Sequence, residues 1–286
     1  MSIAETTDAP DGDILIASGK NKNTENFPVG SALIREDLRK HVHALYNFAR
    51  AADDISDHPL LDAAEKVRRL DKFAAVLGDD ASEEVPEAAA LRRSIREKNI
   101  TPQHGLDLLH AFKQDATKLR YNNWDELLDY CRYSASPVGR HVLALHGIGA
   151  EAWGPNDALC TALQIINHIQ DCADDYRQLD RVYIPLDMLE RSRAKIEDLA
   201  QEFSSPQLEY TLNAMLDAME PMMIEARRIA SVAPDWRLKC ETSVIAVLAD
   251  RLIRLLRRRD PLSENCKLSK FSVLTATISG VVRAWI

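Results

Sequence analysis

Apolar positions recur along this chain at steps of three and four. In "EDLRKHVHALYNFARAADDI" (36–55) the residues Leu38, Val42, Leu45, Phe48, Ala49 and Ala52 keep that spacing, which gathers them on one side of a helix with 3.6 residues per turn. Pro59, in the following "DHP", cannot continue it. The same period predicts helices over 61–77, 87–98, 105–119, 124–133, 138–147, 157–176, 196–203, 206–232 and 236–258. Only "GDDASEEVPE" (78–87) and "YRQLDRVYIPLDM" (176–188) interrupt for longer, and neither is rich enough in Gly and Ser to link domains. The expected fold class is therefore all-α, with one helical domain over 26–286 after a polar, disordered leader at 1–25 that ends in the Pro turn of "ENFPVGS".

Composition agrees with this reading. The chain has 286 residues, 46% of them hydrophobic, and only 10 glycines, enough apolar material for a sizeable core and few breaks in it. A net charge of −8 argues against nucleic acid as a partner. The five cysteines are odd in number and lack CxxC spacing, so neither a disulfide framework nor a zinc site is suggested, and a reducing cytoplasm fits. No basic and apolar secretory signal opens the chain, and no run reaches the roughly 18 apolar residues of a spanning helix.

The C-terminal part is less plain. "RLIRLLRRRDPL" crowds Arg251, Arg254, Arg257, Arg258 and Arg259 ahead of the apolar "FSVLTATISGVVRAWI". One reading is a last core helix with a solvated arginine face. The other is a basic amphipathic helix and greasy tail in peripheral contact with the inner face of the cell membrane.

Two acid clusters carry candidate chemistry. "ARAADDISD" (49–57) holds Asp53, Asp54 and Asp57, and "QIINHIQDCADDY" (164–176) holds Asp171, Asp174 and Asp175. Asp53 with Asp57, and Asp171 with Asp175, are four apart, so each pair projects from one helix face, about 40° apart and roughly 6 Å along the axis. Asp54 points about 100° away from its pair and is assigned no role. Each pair ends an apolar-periodic segment, where the helix dipole disfavours a carboxylate by a few tenths of a kcal/mol or more. One such pair alone is ordinarily a wet face with charges paired to arginines. Two copies, each behind an apolar run, suggest carboxylate clamps for Mg²⁺, which is bound by one or two carboxylates together with substrate phosphates. Arg50 lies one turn before Asp53, suited to a diphosphate oxygen. Gln164 and Asn167 make a polar stripe ahead of Asp171. From spacing, ligand contact and a buried interhelical hydrogen bond fit that stripe equally.

The segments "YNFARAADDISD", "YCRYSASPVGRHVLALHG" and "LQIINHIQDCADDYRQLDRVYIP" resemble, in order and spacing, the conserved blocks of the squalene/phytoene synthase family, over about 25–270. Within it, "ENFPVGS" and "RRRDPLSENCKLSK" are most similar to the bacterial branch that forms hydroxysqualene on the stepwise route to squalene and hopanoids. The resemblance implies an isoprenoid synthase fold with both aspartate motifs at the mouth of a central apolar cavity. It implies Mg²⁺ binding by Asp53, Asp57, Asp171 and Asp175, diphosphate binding by Arg50, a pocket role for Tyr130, and active-site positions for Gln164 and Asn167. Arg181 and Tyr183 fall in the segment that helps cover the diphosphate in relatives, with a match looser by about a residue. Candidate walls of a dry chamber are Tyr46, Phe48, Tyr130, Tyr133, Val138 and Leu143, for each of which core packing is at least as good an account.

The implied reaction is a Mg²⁺-dependent lyase step from presqualene diphosphate and water to hydroxysqualene and diphosphate, beside a partner synthase of the same pathway. No nicotinamide is needed and no Gly-rich dinucleotide fingerprint is present. Gln170 stands where many members that condense two diphosphates carry arginine, which favours a substrate with one diphosphate. The alternatives are a head-to-head prenyl transferase making presqualene diphosphate, squalene or phytoene, and a non-catalytic helical assembly factor, whose aspartates should have eroded.

Overall fold

The structure, a computed structural model, describes residues 34–78 and 85–285. The expected leader, all of "ENFPVGS" and most of "GDDASEEVPE" lie outside the described residues. Four helices form the first half: α1 (Glu36–Ser56), α2 (Ala63–Gly78), α3 (Pro86–Lys98) and α4 (Gln103–Thr117). They close over Leu45, Phe48, Ile55, Leu70, Phe73, Leu91 and Leu108. Phe48 is wholly buried there with its ring 5.8 Å from that of Phe73, so its expected place in a chamber wall is not borne out.

The second half builds a larger core from α5 (Trp124–Ser134), α6 (Ser136–Leu145), α7 (Trp153–Gln170), α8 (Cys172–Leu179), α9 (Leu186–Ser192), α10 (Pro206–Ala218), α11 (Glu220–Ala226), α12 (Ile229–Val232) and α13 (Trp236–Leu256). Leu127, Ile165, Ile166, Met215, Met219 and Leu252 lie at its centre. Contacts of α4 with α5 and α6 join the halves. The caps follow from sequence: the side chains of Asn123, Ser205 and Asp235 accept from backbone amides in the first turns of α5, α10 and α13, and left-handed Asn99, Asp180 and Arg193 follow α3, α8 and α9.

Several expected boundaries change. The helix expected over 157–176 is interrupted at Asp171 (φ −101°, ψ 8°), which closes α7 and precedes α8. The one expected over 206–232 divides into α10, α11 and α12. Pro221, near the start of α11, has no N–H with which to continue α10. Residues Ile196–Ala200 form a 3-10 turn instead of an α-helix. Among the described residues no strand occurs. An isolated parallel bridge between Arg120 and Val182, with the Val182 amide donating to the Leu119 carbonyl at 2.9 Å, brings the chain after α8 alongside the α4–α5 connection.

The apolar tail is itself a helix, α14 (Lys270–Arg283), capped by Ser269 and packed on α13. A Cβ at Gly280 would lie 2.5 Å from the Val244 Cα, so the close crossing of α13 and α14 requires glycine there. Arg251 donates to Thr275 Oγ1 at 2.5 Å. Ala276 and Gly280 face α13, whereas Phe271, Leu274, Ile278, Val282 and Trp285 are exposed on the opposite side. The C-terminal part is thus a packed helix, as one reading had it, but its outward stripe is apolar. No helix among the described residues is long and apolar enough to cross a membrane.

Candidate active site

One cavity of about 310 Å³ collects nearly all the candidate residues. Tyr46, Arg50, Asp53 and Asp57 reach it from α1; Gln164 and Asn167 from α7; Asp171 and Asp175 from the α7–α8 junction; Tyr130 from α5; Arg181 and Tyr183 from the chain after α8. The candidates it does not collect have other surroundings. Tyr133 packs at a tilt against His110, with ring centroids 4.5 Å apart. Leu143 is buried in the core, and Val138 is exposed. Gln170 donates through Nε2 to the Cys266 carbonyl at 2.5 Å, tying the end of α7 to the segment before α14, so its side chain is aimed at that segment and is not among the groups lining the cavity.

At the acidic end, charge is balanced in a way that spacing did not reveal. Arg50 Nη1 lies 2.9 Å from Asp53 Oδ2, and its Nη2 bonds Asp54. Asp54 is thus engaged as an ion-pair partner of Arg50, whose side chain lines the cavity. Arg181 donates through Nη1 to Asp57 Oδ1 at 2.5 Å, through Nη2 to the Ser56 carbonyl at 2.8 Å and through Nε to the Asp115 carbonyl at 2.9 Å. A guanidinium thus answers both the carboxylate and the orphan carbonyl at the C-terminus of α1. A metal ion is therefore not the sole remedy for an aspartate at that position.

In the second motif the Asp175 amide donates to the Asp171 carbonyl at 2.8 Å, so the pair keeps its one-turn register through the break. Asp175 nevertheless falls in the first turn of α8, where the dipole favours a carboxylate. Asp171 ends α7, where the dipole disfavours it, but is also the N-cap position of α8, where the dipole favours it. Among the described residues no group of three His, Cys, Asp or Glu side chains is close enough to hold a metal ion; the four aspartates line the cavity as two separate pairs.

The inner end is aromatic and hydrogen-bonded. Asp115, on α4, is buried and accepts from Tyr130 Oη at 2.9 Å and Tyr183 Oη at 2.8 Å. Burial pushes its carboxyl up to about 6, against the opposing pull of Arg181 and the two phenols. His168 stacks on Tyr183 at 3.7 Å between centroids, and Tyr130 and Tyr183 lie 5.4 Å apart. Burial, aided by Arg181, lowers the His168 imidazole to about 3, so it is neutral at physiological pH. Asp115, His168 and Ser134 all line the cavity and were not singled out from the sequence. The signal for Asp115 was present: it follows Leu108 and Ala111 at steps of three and four, an acid on an apolar helix face. All five cysteines are free thiols.

Comparison with known proteins agrees with this architecture. The sequence profile described as "Squalene/phytoene synthase" matches residues 20–272. The chain is 46% identical over 267 residues to a hydroxysqualene synthase of Rhodopseudomonas palustris, covering 93% of this chain and 91% of that one. It is 41% identical over 261 residues to a hydroxysqualene synthase of Zymomonas mobilis, covering 91% and 88%. Among solved structures it is similar to the squalene synthase HpnC from Alicyclobacillus acidocaldarius, at 31% identity and a TM-score of 0.71 over 80% of this chain and 87% of that one. A dehydrosqualene synthase solved with a ligand, only 20% identical, has the same fold, with a TM-score of 0.77 and 92% of each chain covered. The helical array is the all-α isoprenoid synthase fold, and the chain belongs to the squalene/phytoene synthase family.

Proposed function

We propose that the protein converts presqualene diphosphate and water to hydroxysqualene and diphosphate, as a Mg²⁺-dependent lyase in a hopanoid route. The observation that carries this reading is that Asp53, Asp57, Asp171 and Asp175, with Arg50, line one end of a cavity whose other end is walled by Tyr130, Tyr183 and a neutral His168. Similarity to hydroxysqualene synthases over most of the chain supports the choice of product.

The donor set suits Mg²⁺, a hard cation taking carboxylate oxygens, water and phosphate, so two separate pairs need not form a preassembled cage. When bound, Mg²⁺ would neutralise charge developing on the departing diphosphate. Arg50, held between Asp53 and Asp54, can exchange a carboxylate for a diphosphate oxygen at little electrostatic cost. Arg181 is committed to Asp57, Ser56 and Asp115, so its part is to fix the end of α1 relative to α4. The ring of Tyr130, on the cavity wall, can stabilise positive charge on carbon, and Tyr183, stacked on His168, backs that wall. The carbon–oxygen bond breaks with its electron pair going to diphosphate, and the rearranged cation is captured by water, whose extra proton leaves with the diphosphate.

The same reading sets the protein against an anionic membrane surface. Residues 251–285 carry eight Arg and Lys against two acids, in a chain whose total is −8. Arg254, Arg258, Lys267 and Lys270 are exposed, and Lys270 opens α14. Lys270 and Arg283 bracket the outward apolar stripe of α14, so pairing with a second copy, parallel or antiparallel, would oppose like charges, whereas lipid phosphates complement them.

The test is to incubate the purified protein with Mg²⁺ and either farnesyl or presqualene diphosphate, without reductant, and identify products by mass spectrometry. Hydroxysqualene from presqualene diphosphate is expected. Presqualene diphosphate or phytoene formed from a prenyl diphosphate would replace this reading by a condensing enzyme. Neither turnover nor Mg²⁺-dependent diphosphate binding would indicate a non-catalytic assembly factor.

A further inference from the structure

Ser134, the last residue of α5, lines the cavity one helical turn beyond Tyr130. Its Oγ is buried and makes no hydrogen bond among the described residues. That is unusual for a helical hydroxyl, which ordinarily bonds the carbonyl four residues back. Thr117, Thr211, Thr242 and Thr277 all do so in this structure, at 2.9–3.0 Å. A buried hydroxyl left without a partner is costly and calls for an explanation. Ser136 Oγ, two residues on, is likewise unpartnered but does not line the cavity.

The neighbouring groups at the inner end are already engaged. The Tyr130 and Tyr183 hydroxyls donate to Asp115, and His168 Nε2 lies 3.2 Å from Gln164 Nε2. We infer that the Ser134 hydroxyl is the positioning group for the water that captures the substrate cation. This rests on the proposed function and assigns its second reactant a site. Ser134 Oγ would accept one hydrogen of the water, leaving an oxygen lone pair directed into the cavity. That lone pair forms the new carbon–oxygen bond after the bond to diphosphate has broken. The proton released from the water goes to a diphosphate oxygen, and no oxidant or reductant enters.

The test compares wild type, Ser134→Ala and Ser134→Thr on presqualene diphosphate with Mg²⁺ in ¹⁸O-labelled water, measuring diphosphate release and the hydroxylated share of the products. Wild type should give labelled hydroxysqualene. Ser134→Ala should release diphosphate within about threefold of wild type while its hydroxylated share falls at least about fivefold, replaced by hydrocarbons formed by proton loss. Ser134→Thr should restore that share. Removing an unpartnered hydroxyl should leave the melting temperature of Ser134→Ala equal to or above that of wild type. An unchanged hydroxylated share in Ser134→Ala, or a parallel fall in diphosphate release and hydroxylation, would overturn the assignment. Wild type that makes no hydroxylated product would overturn the proposed function and, with it, this assignment.

Discussion

Arg181 and Asp57, 124 residues apart in the chain, meet at 2.5 Å between Nη1 and Oδ1, and the same guanidinium bonds the Ser56 and Asp115 carbonyls. One side chain thereby joins the end of α1, the end of α4 and the segment after α8. Arg181→Met should destabilise the fold by about 3 kcal/mol or more, because Asp57 and two buried carbonyls lose their partner together. Arg181→Lys should recover only part of this, since one ammonium cannot span all three acceptors. Urea unfolding followed by circular dichroism measures both, and a loss below about 1 kcal/mol for Arg181→Met would remove Arg181 from this role.

Asp53→Asn and Asp171→Asn should each abolish turnover of presqualene diphosphate, with the helical fold retained. Asparagine keeps the shape but removes the charge that a divalent ion needs. Turnover at wild-type rates in both variants would refute the paired-clamp reading.

Asp115 should impose a pH dependence on stability. Its folded-state value of about 6 lies above the ordinary carboxyl value of 3.8, so between these limits the native state holds a proton that the unfolded chain has lost. The associated stability is present below about pH 4, declines as pH rises towards 6, and is flat above. Relative to Asp115→Asn, which has no such carboxyl, wild type should lose about 2.5 kcal/mol between pH 4 and 7. Parallel urea-unfolding profiles of the two proteins across that range would contradict the assignment.

The full-length protein should sediment with vesicles containing phosphatidylglycerol and not with pure phosphatidylcholine. Binding should weaken about fivefold for each of Lys267 and Lys270 changed to Gln, from the attraction of about 1 kcal/mol expected per cation. Ile278→Glu should abolish it without unfolding, since Ile278 is 58% exposed. Equal binding to both vesicle types would refute a charge-led contact. A dimer in solution that Ile278→Glu dissociates would identify the stripe as a self-interface instead.

Much of this protein was legible from local spacing. Asp53 with Asp57, and Asp171 with Asp175, share helix faces because they are one turn apart, and both pairs line the cavity. Tyr46, Arg50, Gln164 and Asn167 joined them by the same logic. Phe48 did not, because it lies about 200° around α1 from Tyr46 and faces Phe73 instead. Gln170, between the polar stripe and the second motif, turns to Cys266, 96 residues later. Neither direction could be read without knowing what packs against each face.

By itself, then, the sequence determined the all-α class, most helix positions and which polar groups share a face, because these follow from a repeat spanning three to seven residues. Only the tertiary structure decided which face became core and which became cavity. It also made Asp115 the acceptor for two tyrosines, gave Arg181 three anchors, and left Ser134 at the cavity without a partner among the described residues. Those outcomes depend on contacts between residues 15 to 125 positions apart, whose geometry is set by how whole helices pack and not by the order of side chains along any one of them.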